Sequence, residues 1–216
     1  MIDNRLKSLT KYIESNDIVI DIGCDHALLD IYLAKNKILD NIIVSDISIN
    51  ALNQGISNIE KYNLNEYIET RHGNGLEVLN NNDNVNTIII SGMGTNTILS
   101  ILNNNYLKNI NKMIIQSNRD YYELRKNIIK LGFYISNEEV IEVNNKLYIN
   151  IVFKRGTKKY SEEELTFGTN NMINKETYYK YLIEKKENIL KNINNLTKKQ
   201  ELINEINYLK ELLKQS

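Results

Sequence analysis

The residues best placed to do chemistry lie in four short turns. Asp21-Ile22-Gly23-Cys24-Asp25-His26-Ala27 ends an apolar run with an acid and continues into small residues. Such a turn lets backbone amides approach a ligand at the carboxyl edge of a sheet. Its pattern, Gly23-x-Asp25-x-Ala27, lacks the repeated glycines of a dinucleotide fingerprint, and a carboxylate at position 25 repels a pyrophosphate. A cationic, phosphate-free nucleoside ligand is the better match. Asp46, followed by Ile47, closes the next apolar run 25 residues after Asp21. An acid there can accept hydrogen bonds from both hydroxyls of a ribose, although an aspartate at that point also serves as an ordinary helix cap. Gly73-Asn74-Gly75 and Ser91-Gly92-Met93-Gly94 follow the third and fourth β-rich runs. The first offers backbone and the Asn74 amide to an adenine ring, and the second permits close approach of a reacting substrate. Either is also a common loop taken alone.

S-adenosylmethionine, with its sulfonium and amino group, fits the acid-rich first turn. On that reading the candidate cofactor residues are Asp21, Gly23, Cys24, Asp25, His26, Asp46, Ile47, Gly73, Asn74 and Gly75. Asp25, Asn74, Gly92, Met93 and Gly94 are the candidates at the reacting edge. His26 reads as a positioning residue and Cys24 as a small buried residue against the sheet. One cysteine excludes an internal disulfide framework and a multi-cysteine zinc site, and no metal is expected.

The elements that must hold these turns alternate. Strands are expected at 17–22, 41–46, 67–71, 85–91 and 111–117, and helices at 28–37, 48–63, 75–80, 95–103 and 120–131. Two further strands, 133–143 and 146–154, flank Asn144-Asn145, a plausible hairpin turn. This order implies an α/β fold, a mostly parallel seven-stranded sheet with one antiparallel strand and helices on both faces. Strand order is beyond reach of periodicity. After a basic connector at 154–160, Ser161 and Glu164 form a capping box, and a helix is expected over 174–196 with Leu182, Ile189, Ile193 and Leu196 in one seam. Thr197 and Gln200 suggest a second box, followed by Leu202, Ile206, Leu209 and Leu213. Two such helices make an antiparallel coiled-coil hairpin. The expected division is a Rossmann-like domain at 1–157 and a helical hairpin at 158–216.

Charge follows the same division. Net charge is zero, yet residues 1–153 hold 14 Lys/Arg against 18 Asp/Glu, and residues 154–216 hold 13 against 9. A basic arm for an anionic partner and a solvated lysine-rich tail both fit. No apolar run approaches the roughly 18 residues that span a bilayer, and no signal segment opens the chain, so a cytoplasmic protein is expected. Proline and tryptophan are absent, which removes proline as a boundary signal.

Taken together, DIGCDHALLDIYL, VSDIS, RHGNGLEVL, IIISGMGTNTI, IIQSN and LTFG resemble the bacterial tRNA (adenine-22-N1)-methyltransferase family over nearly the whole chain. The resemblance implies a class I methyltransferase domain and a coiled hairpin that helps hold tRNA. It places Asp21, Gly23, Asp25 and His26 in the cofactor turn and Asp46 with Ile47 at the ribose. Gly73 to Gly75 fall in the adenine region, and Gly92 to Gly94 at the catalytic edge. Three positions depart from the family: Thr95 where a glycine is usual, Ser117 where a proline is usual, and Asn74 where aspartate is frequent. Expected partners are tRNA and no membrane, with a monomer or weak dimer. The alternatives are a methyltransferase acting on a small molecule or protein, and a non-catalytic nucleotide-binding module whose hairpin recruits a partner.

Overall fold

The computed structural model describes residues 2–215. A one-turn helix α1 (Asn4–Lys7) leads into β1 (Val19–Ile22), α2 (Leu28–Lys35), β2 (Ile42–Asp46), α3 (Ile49–Lys61) and β3 (Ile68–His72). Then come β4 (Thr87–Met93), α4 (Thr95–Leu102), β5 (Lys112–Ser117), α5 (Tyr121–Lys130), β6 (Phe133–Val143) and β7 (Lys146–Arg155). Three helices close the chain: α6 (Glu162–Phe167), α7 (Lys175–Asn192) and α8 (Leu196–Gln215).

The seven strands form one sheet in the order β3-β2-β1-β4-β5-β7-β6, with β7 antiparallel to both neighbours. The continuous apolar runs of the sequence are strands buried on both faces. On one face Ile20, Ile22, Ile88, Ile90, Met113 and Ile115 meet Ile98 and Leu102 of α4 and Leu124 and Ile128 of α5. On the other, Val19, Val44, Ile89 and Ile114 meet Leu29 and Leu33 of α2 and Leu52 and Ile59 of α3. The β6–β7 turn is as expected: Asn144 and Asn145 both take left-handed φ values, 52° and 59°, the geometry of a two-residue hairpin. The order places the carboxyl ends of β1 and β4 side by side, where the chain crosses from one half of the sheet to the other. That switch point is where open α/β sheets form ligand crevices.

The region 75–80 makes only a single 3₁₀ turn, Gly75–Val78. The tail departs further from expectation. The predicted helix over 174–196 stops at Asn192, Ile193 turns extended, and Leu196 opens the next helix at 82% exposure. The Thr197/Gln200 box is not what starts α8. Asn195 does that, its Oδ1 accepting from the Lys198 amide at 3.1 Å, because Asn195 stands at the turn out of α7. The expected seam also shifts. Ile189 is 46% exposed, while Tyr178, Tyr179 and Ile183 are buried with Ile206 and Leu209 in the core that contains the sheet. Packing against the body of the protein, as well as against α8, selects the buried face of α7. The two helices are tied by Lys186–Glu205 and by Lys210–Glu187 at 2.8 Å. The Ser161/Glu164 box is formed in both directions, at 3.1 and 3.0 Å. Among the described residues no helix is long and apolar enough to cross a membrane.

Candidate active site

The carboxyl ends of β1 to β4 open onto a cavity of about 510 Å³, within the usual range for small-molecule sites. Its first wall is the turn after β1. Gly23 takes φ +75°, Asp25 +49° and Ala27 +53°, and the Gly23 and Cys24 amides both donate to Ser45 O, at 2.8 and 3.2 Å. A side chain at Gly23 is strained by the positive φ, and its Cβ, 2.1 Å from the Met93 Cε position, would also push aside the flexible tip of Met93. The second wall is Asp46. Its Oδ2 accepts from the Asp25 amide at 3.3 Å and its Oδ1 from the Ser48 amide at 2.8 Å. Asp46 is therefore not the cap of α3; Ser48 is, through the Ala51 amide. A carboxylate has about four acceptor positions, so two bonds leave Asp46 capacity at the cavity wall.

Gly73 donates to Asp46 O at 3.1 Å, His72 Nε2 lies 3.1 Å from Ile47 O, and the Ile47 side chain is 69% exposed beside the cavity. Asn74 lines the same wall with its Nδ2 bonded to Glu77 Oε1 at 3.2 Å. Ser91, Gly92 (φ +80°) and Met93 form the far wall. Every candidate residue read from the sequence thus borders one cavity except Gly94. That glycine instead caps α4, its carbonyl accepting from Ile98. His26 is half-exposed, with Nε2 3.6 Å from Asp25 Oδ2, and its carbonyl accepts from Asn58. Cys24 is buried, and burial first, then the Asp21 charge, push its thiol well above the ordinary range. It is a poor nucleophile.

Arg5 lines the cavity too, and sequence reasoning missed it. Its guanidinium donates to Ser91 Oγ and Gln116 Oε1, both at 2.7 Å, and lies 5.6 Å from the Tyr148 ring centre. One charge in a four-residue helix gives no periodic signal. Asp21, Asp25 and Asp46 against this single, already engaged arginine make the cavity acidic, which suits a sulfonium and an ammonium and opposes a phosphate. The residues present fit S-adenosylmethionine. Among the described residues, no group of three or more His, Cys, Asp or Glu is placed to hold a metal ion.

Comparison with known proteins places this cavity in a family. Residues 2–151 match the model described as a methyltransferase domain. The structure of M. capricolum TrmK with the cofactor product S-adenosylhomocysteine is 32% identical and superposes with a TM-score of 0.86, over 99% of this chain and 98% of that one. The Bacillus subtilis tRNA (adenine(22)-N(1))-methyltransferase is 26% identical over 174 residues, 80% of this chain and 73% of the relative. The chain belongs to the tRNA (adenine-22-N1)-methyltransferase family. A Streptococcus pneumoniae protein, described as a candidate tRNA (m1A22) methyltransferase and bound to S-adenosyl-L-methionine, adds a TM-score of 0.88 at 28% identity, covering 99% and 100% of the two chains.

Two of this methyltransferase's departures from its family meet in space. Thr95 is fully buried, and its Oγ1 lies 3.1 Å from Ser117 Oγ and donates to Arg119 O at 2.7 Å. A hydroxyl pair thus ties the turn after β4 to the exit of β5.

A second buried pair lies under the methyltransferase's first turn. Asp30 is fully buried in the first turn of α2, and among the described residues no N–H or hydroxyl reaches either of its oxygens. Its neighbour is Asp21, and two buried carboxyl groups side by side can satisfy each other only if one of them keeps a proton. Burial pushes Asp21 up to about 7, with the Asp46 charge adding to it against the pull of Asp30's hydrogen bond and of Arg5. Burial first, then Asp21, also holds Asp30 well above the usual carboxylate range. A raised acid means that the folded state keeps a proton the unfolded chain releases near pH 4, so stability falls as pH rises from about 4 to about 7. Asp30→Asn removes one charge and supplies a donor. The variant should melt higher than wild type at pH 8 and show a flatter decline between pH 5 and 8. Parallel melting curves against pH for the two proteins would refute the shared proton.

Proposed function

We propose that this chain methylates N1 of adenosine 22 in the D-arm of tRNA, in the cytoplasm, with S-adenosylmethionine as donor. The observation that carries the reading is the acid-walled cavity ending at the Ser91-Gly92-Met93 turn, in a chain of this family. S-adenosylmethionine, when bound, supplies an electrophilic methyl group on a sulfonium. Asp46 accepts the ribose hydroxyls, the exposed Ile47 side chain covers one face of the adenine, and Gly73 and Asn74 hold its edge. Asp21 and Asp25 face the positive charges. Gly92, at φ +80°, leaves the backbone bare where the substrate must come close.

Adenine N1 carries an in-plane lone pair and no proton at neutral pH, so no general base is required. Alignment and exclusion of water supply the rate. That agrees with a Cys24 thiol that stays protonated. N1 lies on the pairing edge, so the target base must leave any helix it occupies. Residues 158–216 help to hold the RNA, through exposed lysines such as Lys158, Lys159, Lys185, Lys191, Lys198 and Lys199 set against phosphates. Incubation with labelled S-adenosylmethionine and unmodified tRNA should give one mark that stops reverse transcription at adenosine 22. A stop elsewhere, or label only on protein or small molecules, would overturn the reading.

A further inference from the structure

A second cleft, of about 350 Å³, opens at the same edge of the sheet between the end of β5 and the β6–β7 hairpin. Asn118, Tyr121, Lys146, Tyr148 and, from α7, Tyr181 line it, with Ser117 at its base. It shares two supports with the cofactor cavity. Asn118 donates from Nδ2 to Gly92 O at 2.6 Å and from its amide to Met93 O at 2.9 Å, so it is fastened to the turn that forms the cavity's far wall. Tyr148 carries on its ring the Arg5 guanidinium, which lines that cavity.

The two spaces differ in charge and in surface. Three aspartates line the cavity. The cleft has none among its described residues, and Lys146 stands exposed at its mouth. A cationic ligand is favoured in the first and an anionic one in the second. Three tyrosines give the cleft flat faces that accept any base by stacking, and the Asn118 Oδ1, with Nδ2 committed to Gly92, is an acceptor suited to an exocyclic amine. Tyr181 is 44% exposed, with Lys185 Nζ 6.0 Å from its ring centre, and Tyr121 is fixed by its hydroxyl to Ser117 O at 3.0 Å, so one ring is accessible and one is anchored.

We propose that this cleft receives the unpaired adenosine to be methylated, with Tyr148 and Tyr181 stacking on the base, Asn118 accepting from its 6-amino group and Lys146 meeting its phosphate. The inference rests on the RNA adenine-N1 reading and adds to it that the C-terminal hairpin supplies a wall of the base site itself. Tyr148→Ala and Tyr181→Ala should each lower kcat/KM for tRNA about tenfold to a hundredfold, the scale of lost base stacking. Calorimetric affinity of the Tyr181→Ala protein for S-adenosylmethionine should stay within twofold of wild type. Tyr148→Phe and Tyr181→Phe, which keep the ring, should stay within about threefold of wild type in kcat/KM. Lys146→Ala should raise KM for tRNA most at low salt. Tyr181 is half-exposed, so its alanine variant folds whatever becomes of Tyr148→Ala. If wild type methylates tRNA while the Tyr181→Ala protein keeps full kcat/KM, or if the phenylalanine variants fail as badly as alanine, the cleft is not the base site. If wild type fails to methylate tRNA, the broader reading falls first.

Discussion

Asp46→Ala should weaken binding of S-adenosylmethionine more than tenfold, with S-adenosylhomocysteine affected to a similar degree. Hydrogen bonds to an ionised carboxylate contribute roughly 1.5–3 kcal/mol, and about 1.4 kcal/mol is a factor of ten. Two separate losses add here. On the proposed contact the ribose hydroxyls lose their acceptor, and the Asp25 amide at 3.3 Å loses the group that holds the first turn against the second strand. Asp46→Asn is the milder change, because its Oδ1 can still accept the Ser48 amide, bonded at 2.8 Å in the wild type, while the charge and the acceptor for the Asp25 amide are gone. It should fall between wild type and alanine. The decisive measurement is calorimetric titration with both ligands; an alanine variant within twofold of wild type would remove Asp46 from the ribose site. The similar loss for both ligands matters, since they share the ribose and differ only in the methyl and its charge.

How much of this site could be read in advance depends on how local each signal is. The turn at Asp21 to Ala27 was legible because the need for small residues is written in consecutive positions, and Asp46 because an acid ends an apolar run. The alternation of strands and helices was legible for the same reason: burial on both sheet faces leaves unbroken runs such as Ile88 to Ile90. Arg5 was not legible. It reaches Ser91 and Gln116 across 86 and 111 residues of chain, and nothing in its neighbourhood demands an arginine. Asp30 was likewise silent, reading as an ordinary acid near a helix start until its burial beside Asp21 gave it a partner. Thr95 and Ser117 stood as two separate departures from the family, and only their 3.1 Å contact makes them one feature. In the tail, the apolar spacing identified helices but misplaced their boundary. Leu196 continues the rhythm of α7 in sequence while belonging to α8, and with no proline in the chain nothing local marks the break.

The largest expected loss of stability comes from a residue outside either site. Arg125 of α5 is fully buried, donating from Nε to Glu138 Oε1 at 2.7 Å and from Nη1 to Leu165 O at 2.8 Å. Glu138 of β6 is buried as well, and its Oε2 accepts from the Thr169 amide at 2.7 Å. One ion pair therefore joins a helix, a strand and the 165–169 segment that leads to α7 and α8. Removing one member of such a pair leaves the other charged and alone in a dry interior, which costs about 3–5 kcal/mol. Arg125→Met should lower the melting temperature by about 6–20 °C, taking roughly 2–4 °C per kcal/mol for a chain of this size. Replacing the pair together has a different outcome. Arg125→Met with Glu138→Gln leaves no buried charge, and the glutamine oxygen can still accept from Thr169, so the double variant should regain a good part of the loss. Its Leu165 carbonyl stays unpaired, which keeps recovery incomplete. Arg125 Nη2 finds no partner among the described residues, so the wild-type pair is itself imperfectly satisfied and the double variant has less to replace. Thermal melts of the three proteins decide the matter: a single variant within 1 kcal/mol of wild type, or a double variant no better than the single, would show that the pair does not hold the tail to the sheet.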